Sequence, residues 1–301
     1  MTLTRRSVLV GGTALTLTAT HASKGWTQAE VEGVSRRTVG GAEVIALLDG
    51  TIILPTELFS GAPPEDLAGL LGGEAADGFI NAYAVRIGGE TVLVDAGSGA
   101  LTGPTAGNLA ARLSAAEIDP ASITTFYATH LHPDHIGGLV GEGALALPDA
   151  RMVVHEAERA FWTDDAVMEA AGEENAGFFQ AARAALDIFG ERVEPFTGEG
   201  AAGPLTSMEL PGHTPGHTGF VVSDGDASLL IWGDIIHAPQ IQFPRPEVTI
   251  AFDVDPDAAE ATRMRVLDMV ATDAMPVAGM HLVFPGTGTV VRDGGGYALE
   301  G

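Results

Sequence analysis

The stretch ATHLHPDHIGGL, residues 128–139, sets three histidines and one aspartate within the six positions from His130 to His135. The chain carries nine histidines in 301 residues, so a third of them fall in one short segment. Side chains at i and i+2 of an extended segment point the same way, so His130 and His132 project together from the end of the apolar run TTFYATH. Pro133 keeps His132 extended, because a residue before proline is pushed out of the helical region. The chain can then turn. Gly137 and Gly138 permit close backbone approach, which brings Asp134 and His135 to the same cavity from the other side. One loop thus supplies two pairs of donors, His130/His132 and Asp134/His135. Imidazole and carboxylate together suit zinc and neighbouring divalent cations. The chain has no cysteine, which excludes disulfides, thiolate nucleophiles and any zinc site built on sulfur.

Outward from this loop, short apolar runs alternate with Gly, Pro and Asp. Segments Glu43–Pro55 and Ala82–Gly99 read as strands and hairpins with turns at Asp49-Gly50 and Gly88-Gly89. Thr105–Ile118 has helical spacing. DARMVVHEAE reads as a strand entering an acidic helical stretch that continues to about Glu191. Further on, GHTGFVVSDGDASLLIWGD is a hairpin turning at Asp224-Gly225. The run from Pro256 is a helix capped by Asp255, with the proline at its first position. Two β-rich halves with helices outside them make an α/β sandwich.

Apolar residues are 46 % of the chain and charged ones 18 %, a composition of globular and not of disordered protein. The net charge is −25 and the sole lysine is Lys24. Such a surface repels phosphate backbones and anionic lipid, so neither nucleic acid nor a membrane is expected as a partner. At the N-terminus, TRRSVLV (Thr4–Val10) is a twin-arginine pair leading into an apolar stretch that ends near Ala19, too short to span a bilayer. It resembles a Tat signal. The expected organisation is a signal and leader over residues 1–29 and one domain over 30–301, periplasmic or secreted.

HLHPDH resembles the H-x-H-x-D-H signature of the metallo-β-lactamase superfamily, and the resemblance extends over roughly residues 40–290. It implies a four-layer αββα sandwich with a two-metal site between its sheets. LPGHTPGHT supplies a match for a further ligand at His213, LLIWGDIIH at Asp234 and VAGMHLVFPG at His281. By that resemblance His130, His132 and His213 hold one cation, Asp134, His135 and His281 the other, and Asp234 bridges them. Asp95, in VLVDAGSG, matches the strand-end aspartate of the family, a residue that orients a ligand histidine.

The implied cofactor is a pair of divalent ions, zinc first among them, sharing a hydroxide that attacks the scissile bond. Asp134 is placed to pass a proton to the leaving group. A finer likeness lies in WGDIIHAPQIQFPRPEVTIAFDVDP (Trp232–Pro256), which is similar to the branch of the family containing methyl parathion hydrolase and secreted lactonases and arylesterases. That branch implies a homodimer and an apolar pocket for a neutral ester, lactone or phosphotriester. The expected activity is opening of lactones and cleavage of aryl esters. The alternatives are phosphotriesters as main substrates, or a metal-dependent binding protein without turnover. His237 stands where acyl-homoserine lactonases of the family carry a substrate-facing tyrosine, and either takes that role or is a buried structural residue. His217 reads as structural, and His155 carries no site signal. Trp162, Phe178, Phe179, Ile250 and Phe252 are nominated, with His237, as the substrate pocket wall.

Overall fold

The computed structural model describes residues 31–141 and 143–301. The leader expected over residues 1–29 lies outside them. Among the described residues no helix is long and apolar enough to cross a membrane.

Two seven-stranded sheets divide the chain. The first runs, edge to edge, Val34–Val39, Ala42–Pro55, Ala75–Ile87, Glu90–Val94, Ile123–Tyr127, Arg151–His155 and Val193–Phe196. Its first four strands pair antiparallel and the rest parallel. The second runs Gly296–Glu300, Thr287–Asp293, Pro276–Ala278, Ala227–Ile231, Thr218–Asp224, Leu205–Glu209 and Gly200–Ala202. Side-chain alternation along a strand builds the layers. In Ala42–Pro55, Val44 and Ala46 enter the core between the sheets, where Phe220, Val222 and Ile231 meet them. Ile45 and Leu47 face outward onto the helical layer with Leu113, Phe179 and Leu186. Val92 and Val94 point inward while Leu93 points out. Both faces are covered, so these strands are apolar throughout. Helix Pro256–Asp273 lays Val266, Leu267 and Val270 against the outer face of the second sheet. Each such buried side chain contributes roughly 1.5–3 kcal/mol. The result is the expected αββα sandwich.

The Gly88-Gly89 turn is present, both glycines at positive φ, and the second-sheet hairpin closes over Gly225. Asp255 caps its helix by accepting the Ala258 N–H. Asp49-Gly50, however, is not a turn. The strand runs straight through, with its register shifted between Leu48 and Gly50. The buried Asp49 carboxylate collects the N–H groups of Ser98, Gly107 and Leu109, and a side chain at Gly50 would run into Thr105 and Ala106. These long-range contacts override the local turn preference of Asp-Gly. They also shorten the expected Thr105–Ile118 helix to Leu109–Ala115. Thr105 is strapped to Thr51, Gly107 has φ +89°, and Asn108 donates to the Asp49 carbonyl. The acidic helical stretch is three helices, Glu156–Thr163, Asp165–Ala171 and Ala176–Phe189. Asp164 caps the second of them.

Four loops that follow strand ends meet at one rim of the sandwich. His130 comes after Ile123–Tyr127, His213 after Leu205–Glu209, Asp234 after Ala227–Ile231 and His281 after Pro276–Ala278.

Candidate metal centre

The turn beyond His132 forms as its sequence dictates. His132 is extended at φ −67°, ψ 153°, and Pro133 opens a one-turn helix, Pro133–Ile136. A methyl group on Gly137 would meet the Ser98 carbonyl, and one on Gly138 the Ala96 carbonyl. Only glycine lets this loop lie against the Asp95–Gly99 segment.

The imidazoles converge. His130 Nε2 lies 3.0 Å from His132 Nδ1, which lies 3.0 Å from His213 Nε2. Asp234 sits between this trio and a second set. Its Oδ2 is 3.3 Å from His213 Nε2, 3.7 Å from His130 Nε2 and 3.1 Å from His281 Nε2, and its Oδ1 is 3.2 Å from His135 Nε2. Asp134 Oδ2 completes the second set, 3.4 Å from His281 and 3.7 Å from His135. The donor atoms of His130/His132/His213 and of Asp134/His135/His281 fall within 4.8 Å of one another in each group, as do those of His130/His135/Asp234 and His213/Asp234/His237. All seven residues nominated from the sequence therefore meet at one place.

The donor set fits divalent cations. His135 Nε2 and Asp234 Oδ1 are buried without a hydrogen-bond partner, a condition that costs free energy unless something else satisfies them. His132 Nδ1 stands at hydrogen-bonding distance from two other imidazole nitrogens but has only one in-plane lone pair or proton to offer them, and a shared cation resolves that. The electrostatics agree at His130 and His132 and differ at His135, whose proton a cation would have to displace. Burial first, and then neighbouring imidazoles, drive His130 and His132 well below the usual histidine range, leaving them neutral as ligands must be. Burial would push Asp234 up, but His135, His281 and His130 outweigh it and hold the carboxylate ionised. Burial likewise opposes the charge on His135, where Asp234, Asp134 and Asp95 prevail and raise it well above its ordinary value.

Outer partners fix the rings. Asp95 Oδ2 is 2.6 Å from His135 Nδ1 and also accepts from the Thr129 hydroxyl, so the strand-end aspartate sits against a cluster histidine. His281 Nδ1 meets the Phe79 carbonyl at 2.7 Å. His213 Nδ1 meets Asp253 Oδ1 at 2.8 Å. Asp253 was not anticipated from the sequence. Its one signal is a lone carboxylate between two apolar residues in FDV, which is common in loops. His217 accepts the Asp234 N–H at Nε2 and contacts the Leu210 carbonyl through Nδ1, a structural role. His155 lies apart, 3.0 Å from Glu209.

A cleft of about 300 Å³ opens above the cluster. It is lined by Ile52, Leu54, Leu101, Phe178, Ala181 and Phe252, with His132, Asp134, His213, Asp234, His237 and His281 at its floor. His237 is buried, and neither ring nitrogen makes a well-formed hydrogen bond. Asp234 Oδ2 lies 3.1 Å from Nε2. Burial brings its pKa down to about 4. Of the nominated wall, Phe178 and Phe252 line this cleft. Trp162, Phe179 and Ile250 do not. Trp162 and Phe179 pack on each other at a 59° tilt in the helical-layer core and border a neighbouring cavity of about 240 Å³ that shares His132, Phe178 and Phe252 with the cleft. Ile250 packs with Phe59, Leu67 and Ile241 in a satellite core. Aromatic and aliphatic residues at helical or strand spacing announce burial, not which side of the layer they bury against.

Residues 75–281 match the family model described as the metallo-beta-lactamase superfamily. Among solved structures, the "hydrolase AbOPH in beta lactamase superfamily" is 29 % identical with TM-score 0.84, covering 90 % of this chain and 98 % of its own. AidC, described as a dizinc quorum-quenching lactonase and solved with the product N-hexanoyl-L-homoserine, is 26 % identical with TM-score 0.81, covering 89 % and 96 %. A probable metal-dependent hydrolase from Staphylococcus aureus shares the fold at 16 % identity and TM-score 0.69, covering 88 % and 99 %. No curated protein sequence matches the chain.

Proposed function

The chain belongs to the metallo-β-lactamase superfamily, and from that premise we propose that it is a dizinc hydrolase of neutral lactones and aryl esters. The observation that carries this reading is the cleft, whose walls, Thr102 apart, are aliphatic and aromatic and whose other polar side chains lie at the floor. An uncharged, apolar acyl or aryl group suits such walls, and a net charge of −25 disfavours anions. AidC, a lactonase, supports the same reading.

His130, His132 and His213 would hold one cation and Asp134, His135 and His281 the other, with Asp234 serving both. Two bound divalent cations would supply Lewis acidity at the carbonyl or phosphoryl oxygen and a water acidified towards neutrality. Asp95 and Asp253 keep His135 and His213 turned with Nε2 toward the cluster. His237 presents a neutral imidazole to the cleft floor, where a ring N–H donates to the substrate carbonyl. Asp134 is the one nominated ligand whose carboxylate keeps appreciable exposure, 21 %, and it takes up the proton that the attacking water releases and hands it to the departing oxygen. The apolar walls exclude water around these groups and strengthen their electrostatics.

The full chain, stripped by chelator and reloaded with zinc, is expected to hydrolyse dihydrocoumarin and p-nitrophenyl acetate, and the stripped protein to be inactive. Higher kcat/KM on phosphotriesters than on lactones would make phosphotriester cleavage the main activity. No metal-dependent turnover on any of the three classes would leave a metal-dependent binding protein. His237→Phe should alter the ranking of substrates while metal content stays at the unmutated level; a collapse of metal content would instead place His237 among the ligands.

A further inference from the structure

Glu158 lies in helix Glu156–Thr163, outside the donor set, and is wholly buried. Its Oε1 accepts the Leu131 N–H at 2.9 Å and the Trp162 indole N–H at 2.6 Å, and its Oε2 accepts the Gly216 N–H at 3.0 Å. Leu131 is the residue between His130 and His132. Gly216 lies three residues after His213 and immediately before His217. A single carboxylate therefore ties the first histidine loop, which leaves the first sheet, to the second histidine loop, which leaves the second sheet. Gly216 is obligatory at this junction, since a methyl group there would strike the Glu158 backbone. The gap the carboxylate spans is the one across which His132 Nδ1 and His213 Nε2 stand 3.0 Å apart.

We infer that Glu158 is a positioning residue for the His130/His132/His213 cation site, setting the separation of the two loops that supply its donors. The inference rests on the metal-centre reading above. The chemistry requires a carboxylate: both oxygens face N–H groups, so each must accept. A glutamine of the same shape would keep one accepting oxygen and turn an amide NH₂ toward the other N–H, leaving donor against donor in a buried place. One loop would stay held and the other would be pushed away. Trp162, whose indole gives Glu158 its shortest bond and whose ring packs edge-on to His132 at 5.3 Å between centroids, belongs to the same support.

The test is competitive titration of the stripped, full-length protein with zinc against a chromogenic chelator, alongside cobalt(II) absorption spectra and thermal unfolding without metal. In Glu158→Gln, one of the two zinc affinities should fall by about 10–100-fold, the scale of losing an outer support of a ligand. The other should stay near the unmutated value, and the cobalt spectrum should change for one ion only. Should Glu158→Gln fail to fold, Glu158→Asp keeps the charge but is too short to reach both loops, and the same selective loss is expected. If the folded glutamate variant binds both ions with the original affinities and ratio, whatever its melting temperature, Glu158 is merely structural. If the unmutated chain binds no zinc, it is the metal-centre reading that fails.

Discussion

The floor and the walls of the cleft are built by different means. At the floor, four of the seven donor residues are held by a second contact. Asp95 holds His135, Asp253 holds His213, Phe79 holds His281, and His217 holds the Asp234 backbone. These groups are buried, polar and directional, so a displacement of a fraction of an ångström costs a bond. On the walls, Ile52, Leu54, Leu101 and Phe252 are held by shape alone, and Leu101 is 47 % exposed. Dispersion and area burial are non-directional, so the walls can be re-cut without disturbing the floor. The floor determines what reaction is possible, and the walls determine on what.

The sharpest way to break this contrast is at the shared carboxylate. Asp234→Ala removes the carboxylate that stands between the two donor sets and should abolish metal pairing and lower turnover on the order of ten-thousandfold, the scale of deleting an essential member of a catalytic unit. Elemental analysis and turnover check this together. A variant retaining two ions and near-normal rates would remove Asp234 from its central place.

Acid should weaken the metal-free floor by a few kcal/mol. Burial takes the His217 pKa from 6.5 down to about 3 in the folded chain. Between those values the unfolded chain binds the proton and the folded chain does not. The contribution of His217 is therefore full above about pH 6.5 and falls as pH drops towards 3, at about 1.4 kcal/mol for each pH unit. Melting curves of stripped protein across that window should show the decline, and a flat profile would contradict it.

A smaller effect is expected one contact further out. Asp253→Asn leaves the shape but removes the charge opposite His213, and should weaken zinc binding about 10–100-fold, with turnover recovered in excess zinc. Unchanged zinc affinity would make the Asp253–His213 contact incidental.

The smallest effect on the floor belongs to the walls. Phe178→Ala should raise KM for aryl esters about tenfold through lost contact and leave zinc content alone. Phe179→Ala, one residue along the same helix but in the core, should instead cost about 3–5 kcal/mol of stability with KM little changed. Equal behaviour of the two variants would erase the distinction between wall and core.

The histidine loop was legible because extended spacing, a proline and two glycines constrain the backbone locally, whatever surrounds it. The Gly88-Gly89 turn and the Asp255 cap were legible for the same reason, since their hydrogen bonds close within a few residues. Asp49-Gly50 misled because its partners, Ser98, Gly107 and Leu109, are about fifty residues away in the chain. Trp162 misled in the same manner. Its indole serves Glu158 in place of a substrate, and nothing in FWT indicates which face of the helix meets the cleft.

From sequence alone came the alternation of strands and helices, the donor types and the local geometry that pairs His130 with His132. Spacing along the chain determines these, and short-range sterics enforce it. Folding decided the rest: that Glu158 and Asp253 support the donors, that Phe178 rather than Phe179 meets the cleft, and that two sheets bring four loops to one rim. Contacts between distant residues depend on how whole layers pack, and no local pattern carries that information.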